Sequence, residues 1–416
     1  MRQLRVTLET VTPLFLGGVD PRGKPELRVP SLRGALRYWL RAALGGVLGA
    51  DEAGLRAIRA TESAVFGSTD ASSGGASVIA LRLSGEASLE EVGYSRIVEY
   101  SETIERNRVL RRIGKPGIGY LLFSASSMGG QSEREGLVGT FALDMLTRPG
   151  APNAEDAFAK AYAALWLLTH LGAVGARSRR GAGALQVTVK EGDAVAEQEL
   201  PSLEIQAATP TALAKELKGG LEALRESLRQ SLATTAAVSI QQPSAFDVLH
   251  PEACRIWVLD RTYDSWKAAL DEIGRTFQGF RNRRRPDYGI ARDAIQGNPL
   301  VAPVERAAFG LPIPFYYRSL YGAKATLEAK EHDRRASPLL MRVVKLANGR
   351  YATVLLWFQS VFLPKGDRLK LTHRGGAPLG DLPSSRLLET FLLGPDPIRR
   401  SSLRDWQLSV LEVKYV

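Results

Sequence analysis

The 416-residue chain has one cysteine, Cys254, and four histidines. A single thiol forbids any disulfide within the chain and excludes the cysteine clusters that hold structural zinc. His170, His250, His332 and His373 are widely scattered, with no pair at helical or finger spacing, so there is no metal signature and no cofactor is expected. No run of eighteen apolar residues occurs, and Met1 to Thr10 alternates polar with apolar where an export signal would carry a charged start and an apolar stretch. These absences predict a soluble, cytoplasmic protein with no membrane contact. Lysine is scarce as well, at 13 of the 55 basic residues, which leaves 55 − 13 = 42 arginines.

What is present is positive charge. The formal net charge is +11, and clustered cations gain affinity for polyanions by releasing counterions from phosphates. Arginine's planar fork also grips phosphate at two points and stacks on bases. Arginine richness fits genomic base bias or heat adaptation equally well, so the location of the charges has to decide. With 44% hydrophobic residues, a chain of this length can build two cores.

Leu4, Val6 and Leu8 alternate with polar residues as a half-buried first strand does, and Gly17-Gly18 breaks the pattern. After Pro30-Ser31, Leu32, Leu36, Leu40 and Leu44 form the buried stripe of a first helix. Arg33, Arg37 and Arg41 repeat one position further round it as a basic ridge, which reads either as a phosphate track or as an ordinary solvated face. Ala76 to Leu83 is a second strand, residues 93 to 135 are a basic, glycine-rich insertion, and Glu155 to Ala173 is a long apolar helix. That helix runs into Gly175-Ala-Arg-Ser-Arg-Arg-Gly-Ala-Gly183, and the chain re-emerges as the strand from Leu185. The leucines at 213, 217, 221, 224 and 228 mark a linker helix. Further on come a strand at Cys254, a helix from Asp264 towards Phe280, the run Arg281-Asn-Arg-Arg-Arg285, and strands at Ala352 to Leu363 and Trp406 to Val413. Trp39, Trp166, Trp257 and Trp357 fall in apolar segments and are expected in the core.

A pseudo-repeat links the halves. Glu62-Ser-Ala-Val-Phe-Gly67 matches Glu305-Arg-Ala-Ala-Phe-Gly310 at four of six positions, and each precedes a serine-initiated strand, at Ser77 and at Ser337. The expected fold is α+β, with two tandem ferredoxin-like domains of the plan also used by RNA-recognition modules. The boundaries drawn are 1–192 for the first domain, 193–245 for a linker with a helix, and 246–416 for the second.

Among candidate sites the Gly/Arg loop at 172–184 stands first. Gly175, Gly181 and Gly183 can bring backbone amides close to a phosphate, while Arg177, Arg179 and Arg180 supply forked cations. It is not a nucleotide P-loop, because no Gly-Lys-Ser or Gly-Lys-Thr follows. The alternative is a solvated turn whose charges do nothing. Arg281, Arg283, Arg284 and Arg285 suit either a helix C-terminal dipole or a second anion site.

Taken together, Thr12-Pro-Leu-Phe-Leu-Gly-Gly, Val29-Pro-Ser-Leu-Arg-Gly-Ala-Leu-Arg-Tyr-Trp, Ala64-Val-Phe-Gly and the Gly/Arg loop resemble the RAMP superfamily of CRISPR proteins. Phe277-Gln-Gly-Phe-Arg, Ala308-Phe-Gly-Leu-Pro-Ile-Pro-Phe and Arg334-Arg-Ala-Ser-Pro-Leu make the resemblance strongest to the first RAMP subunit of the type III-B (Cmr) RNA-silencing effector complex. The resemblance implies a non-catalytic subunit at the head end of a filament. Its partners would be the downstream part of the guide RNA (crRNA), the target RNA and other RAMP subunits, and its role antiviral defence. The family's loop usually has an aromatic residue between its last glycines, where Ala182 stands here, which argues against base stacking by the loop itself.

Two rivals remain. A metal-independent RAMP endoribonuclease would need a general base, for which His170 is the positional candidate. A scaffold touching only protein would leave the basic loop unused.

Overall fold

The structure, a computed structural model, describes residues 2–69, 75–105, 108–127, 131–192, 200–234, 238–282, 285–395, 402–405 and 407–415. The chain opens with β1 (Gln3–Thr10), whose Leu4, Val6 and Leu8 are buried as the alternation requires. Helix α1 (Val29–Leu48) follows, with Pro30 in its first turn and the stripe Leu32, Leu36, Leu40 and Leu44 buried together with Trp39. Next is α2 (Glu52–Phe66), started by Asp51, whose side chain accepts from the Gly54 amide.

Strand β2 (Ile79–Gly93) leads into an insertion: a short helix α3 (Tyr94–Ile97), a hairpin of β3 (Tyr100–Glu105) and β4 (Arg108–Ile113), and the short helix α4 (Pro116–Leu121). The chain then returns as β5 (Glu135–Thr147), α5 (Ala154–His170) and β6 (Leu185–Gly192). The sheet order is β2-β5-β1-β6, so the four main strands lie second, third, first, fourth, which is ferredoxin-like. Register places Asp144 of β5 opposite both Arg5 and Arg82, which donate to it at 2.7 Å and 3.0 Å. Its fully covered carboxyl is held down to about 2, first by the Arg5 hydrogen bond.

The expected linker helix is α6 (Pro210–Ser231), and it is part of the core rather than a spacer. Its five leucines are buried, and a Cβ on Gly220 would come within 2.2 Å of the Trp166 ring. A helix with so complete an apolar stripe must cover something.

The second copy starts with β7 (Cys254–Leu259), in which Cys254 is buried as expected, and α7 (Trp266–Asn282). Then come α8 (Arg285–Ile295), β8 (Ile313–Tyr317), β9 (Ala323–Ala329), β10 (Leu339–Lys345), β11 (Tyr351–Phe358), β12 (Leu369–His373), β13 (Leu379–Gly380), α9 (Arg386–Leu393) and β14 (Val410–Glu412). Its sheet order, β10-β11-β7-β14, repeats the second, third, first, fourth permutation of the first copy. The fold is thus two tandem ferredoxin-like motifs, as expected.

The compact units divide the chain differently from the boundaries drawn at 192 and 246. One unit comprises Met1–Gly274, Leu340–Phe358 and Val410–Val416, and so contains both ferredoxin-like sheets. The other comprises Arg275–Leu339 and Gln359–Ser409, with its own antiparallel sheet of order β13-β12-β9-β8. That sheet is built from two insertions into the second motif, and sequence periodicity did not disclose it because its strands run two to seven residues. Phe277, Phe280, Phe309 and Phe391 meet mostly edge to face in this unit. The strand expected at 352–363 ends at Phe358, and that at 406–413 is only Val410–Glu412, Trp406 lying outside the described residues.

The pseudo-repeat has a structural counterpart. Gly67 and Gly310 both take positive φ, +80° and +114°, at the end of a helical segment. The serine hydroxyl that opens each following strand donates to the carbonyl two residues on, Ser77 to Ile79 and Ser337 to Leu339.

Candidate nucleic-acid interface

The corner between α5 and β6 is set by what its neighbours offer its backbone. Helix α5 ends with carbonyls that need donors, and Arg342 of β10 supplies them. Its buried guanidinium donates to Leu168, Thr169 and Gly172 at the helix end and, at 2.6 Å, to Leu185 at the start of β6. Burial draws its pKa down to about 9, so it stays charged at neutral pH. One side chain therefore fixes both ends of the Gly/Arg loop.

Inside the loop, several amides expected for phosphate are committed to protein. Ala176 donates to Phe15, Gly183 to Pro13, Arg180 to Arg177 and Ala184 to the Thr12 hydroxyl, at 2.7–3.0 Å. Gly175 and Gly183 have φ of +88° and +74°, and a Cβ there would sit 2.6 Å from the Phe15 carbonyl and 1.9 Å from that of Val174. These glycines allow backbone to approach backbone. Gly181, φ +86°, is buried with its Cβ position facing Leu270.

The three arginines diverge. Arg180 is buried, in a β-bridge to Met341, and cannot present its side chain freely to an outside strand. Arg179 keeps 21% side-chain exposure, donates to Asp247 at 2.7 Å and to the Tyr38 hydroxyl at 3.3 Å, and lies 5.4 Å over the Tyr38 ring. Arg177, itself at φ +62°, donates to the Ser124 hydroxyl at 2.7 Å and lies 4.6 Å over Phe123, a ring left 37% exposed by the insertion. Buried Ala182 offers no stacking surface.

On α1, Arg37 and Arg41 converge on the nearly buried Glu62 of α2, so the ridge is partly neutralised. Arg33 has an enclosed Nε without a hydrogen-bond partner. Tyr38 places this helix beside the loop. In the other unit, Arg281 lies 5.4 Å and 5.9 Å over Phe277 and Phe309, a packing role. Arg283 and Arg284 fall outside the described residues, and Arg285 begins α8.

Residues that sequence reasoning passed over also converge here. Arg22 donates to the carbonyls of Ser124, Ser126 and Ser132 at 3.1, 3.4 and 3.0 Å, and burial, with the charge of Arg22 second, lowers the pKa of Arg134. Only the basic character of the insertion hinted at Arg134, and nothing in the sequence singled out Arg22, which lies in the loop between β1 and α1.

His170 is wholly buried, its ring stacked 4.0 Å from Trp166 and its Nδ1 2.9 Å from the Trp166 carbonyl. Burial lowers its pKa. It cannot touch RNA from there. Trp39, Trp166, Trp257 and Trp357 are all core. His332, half exposed in the second unit, bonds Asp367 at 2.7 Å. Among the described residues no cluster of three or more metal-ligating side chains forms, and no helix is long and apolar enough to cross a membrane.

Residues 7–186 match the RAMP superfamily. The CRISPR system Cmr subunit Cmr1-2 of Pyrococcus furiosus is 30% identical over 192 residues, 43% of this chain and 92% of that one. The chain belongs to the RAMP superfamily. Cmr subunit Cmr1-1 of the same organism is 26% identical over 369 residues, 86% of this chain and 88% of the relative. The crystal structure of Cmr1 from P. furiosus in its apo form has the same fold, with TM-score 0.62 at 20% identity over 100% of this chain and 99% of that one. A chain of the type III-B Cmr-beta structure bound to cognate target RNA gives TM-score 0.52 at 12% identity, over 88% and 96%. Within the superfamily this is a Cmr1-like protein.

Proposed function

We propose that the chain is an RNA-binding, non-catalytic subunit of a type III-B CRISPR effector complex, seated among other RAMP subunits. It contacts guide RNA and target RNA at the head end of the filament. Support comes from its Cmr1 relatives, from the net charge of +11, and above all from one observation. Arg177 and Arg179 stay partly exposed at a corner whose other arginine is buried, each beside an aromatic ring. Charge and π-face together suit a sugar-phosphate strand.

Arg33, Arg37 and Arg41 flank this surface as secondary contacts, and Arg283, Arg284 and Arg285 are a second anion site of lower weight, Arg281 being occupied by its packing on Phe277 and Phe309. The endoribonuclease reading loses its general base, since His170 is enclosed.

The test is a salt series with single-stranded RNA and the full chain. Arg177→Gln with Arg179→Gln should weaken binding irrespective of sequence and reduce the slope of log affinity against log salt by about one per lost phosphate contact. An unchanged affinity and slope would overturn the reading. Cleavage of RNA in chelator would restore the enzyme.

A further inference from the structure

The insertion between β2 and β5 brings an aromatic ring to the Gly/Arg corner, where the loop itself has none. The turn after α4 is held from several sides. The Asp271 carboxylate accepts from the Gly117 amide at 2.8 Å and the Ile118 amide at 3.4 Å, and Ile118, Leu121, Leu122 and Ala125 are buried. Arg22 clamps the carbonyls of Ser124 and Ser126. On this anchored turn Phe123 is left 37% exposed, although a phenyl ring gains by burial.

Its surroundings are cationic. Arg177 covers part of the ring, Arg22 reaches the Ser124 and Ser126 carbonyls beside it, and the Arg134 amide donates to the Ala125 carbonyl at 2.8 Å; neither Arg22 nor Arg134 has a carboxylate partner for its side chain among the described residues. Glu133, the acid next in sequence, accepts from the Ser95 amide and hydroxyl at 2.9 Å and 2.8 Å. Guanidinium groups gathered at one turn gain from a shared anion. A phosphate at Arg22, Arg134 and Arg177 would bring its own base within reach of Phe123.

We propose that Phe123 is a stacking platform for one nucleobase of a single-stranded RNA segment whose phosphate lies against Arg22, Arg134 and Arg177. This inference rests on the RNA-binding reading of the same corner. It assigns the insertion a nucleic-acid contact and replaces the aromatic residue missing at Ala182.

Phe123→Ala and Phe123→Leu, with melting temperatures near that of the parent chain, are titrated with single-stranded RNA at fixed salt and across a salt series. Both should lose affinity by about five- to a hundredfold with the salt slope unchanged, and Phe123→Trp should restore it. RNA carrying 5-iodouridine should photocrosslink to Phe123 in the parent chain. If the Phe123 variants bind like the parent while the Arg177 and Arg179 changes weaken binding, the stacking inference falls and the corner remains an RNA site. If neither set changes binding, the corner is not an RNA site and both readings fall.

Discussion

Arg82 and Arg342 occupy the same place in the two copies, five residues after the serine that opens each strand, Ser77 or Ser337. Their fates differ. The Arg82 side chain is 65% exposed and shares Asp144 with Arg5 across the first sheet. Arg342 is 2% exposed and spends its fork on four carbonyls at the α5 to β6 corner. A repeat fixes where a strand begins and where its residues fall in order. Whether a given side chain meets water or a helix end depends on what packs over that face, and the two faces are covered differently.

The contrast can be broken most forcefully at the buried member. Arg342→Ala removes donors from carbonyls sealed away from water and leaves a cavity, so chemical denaturation should read a loss on the order of 3–5 kcal/mol. A loss below about 1 kcal/mol would mean the corner is held by other means.

Acid sharpens the exposed side of the comparison. The Asp144 carboxyl sits at about 2 in the fold, below the unfolded value near 4, so the unfolded chain binds the extra proton first. Its contribution is complete above about pH 4 and lost as pH falls towards 2, and Asp144→Asn should flatten that limb of a stability-pH curve. The smallest effect belongs to Arg82→Ala, about 0.2–1 kcal/mol by denaturation, because Arg5 still satisfies the carboxylate and the lost pair is solvent-screened.

The elements with a strong period were readable: β1 from Leu4, Val6 and Leu8, α1 and α6 from their leucine stripes, and α5 with β6 from the glycines between them. Strand β5 escaped notice because Gly136 and Gly139 interrupt it, the latter at φ +131° with its Cβ position 1.9 Å from the Ser88 carbonyl. That close approach falls where the β2–β5 register shifts, a feature of strand pairing rather than of composition. The loop itself could be picked out from its glycines and arginines. Which arginine faces outward could not, because Arg177 at φ +62° and the flanking glycines carry no periodicity to read.

By itself the sequence determined the α+β class, the doubling of the motif, the Trp39, Trp166, Trp257 and Trp357 core and the existence of a basic helix-to-strand corner. These follow from local rules, hydrophobic period and backbone freedom, that act within a few residues. Only tertiary structure decided that Arg180 is buried, that Glu62 draws in two arginines of the α1 ridge, that Arg342 clamps the corner, and that Phe123 arrives beside Arg177 from an insertion more than fifty residues earlier. Burial and pairing are properties of neighbours brought together by the fold, and no window of sequence contains them.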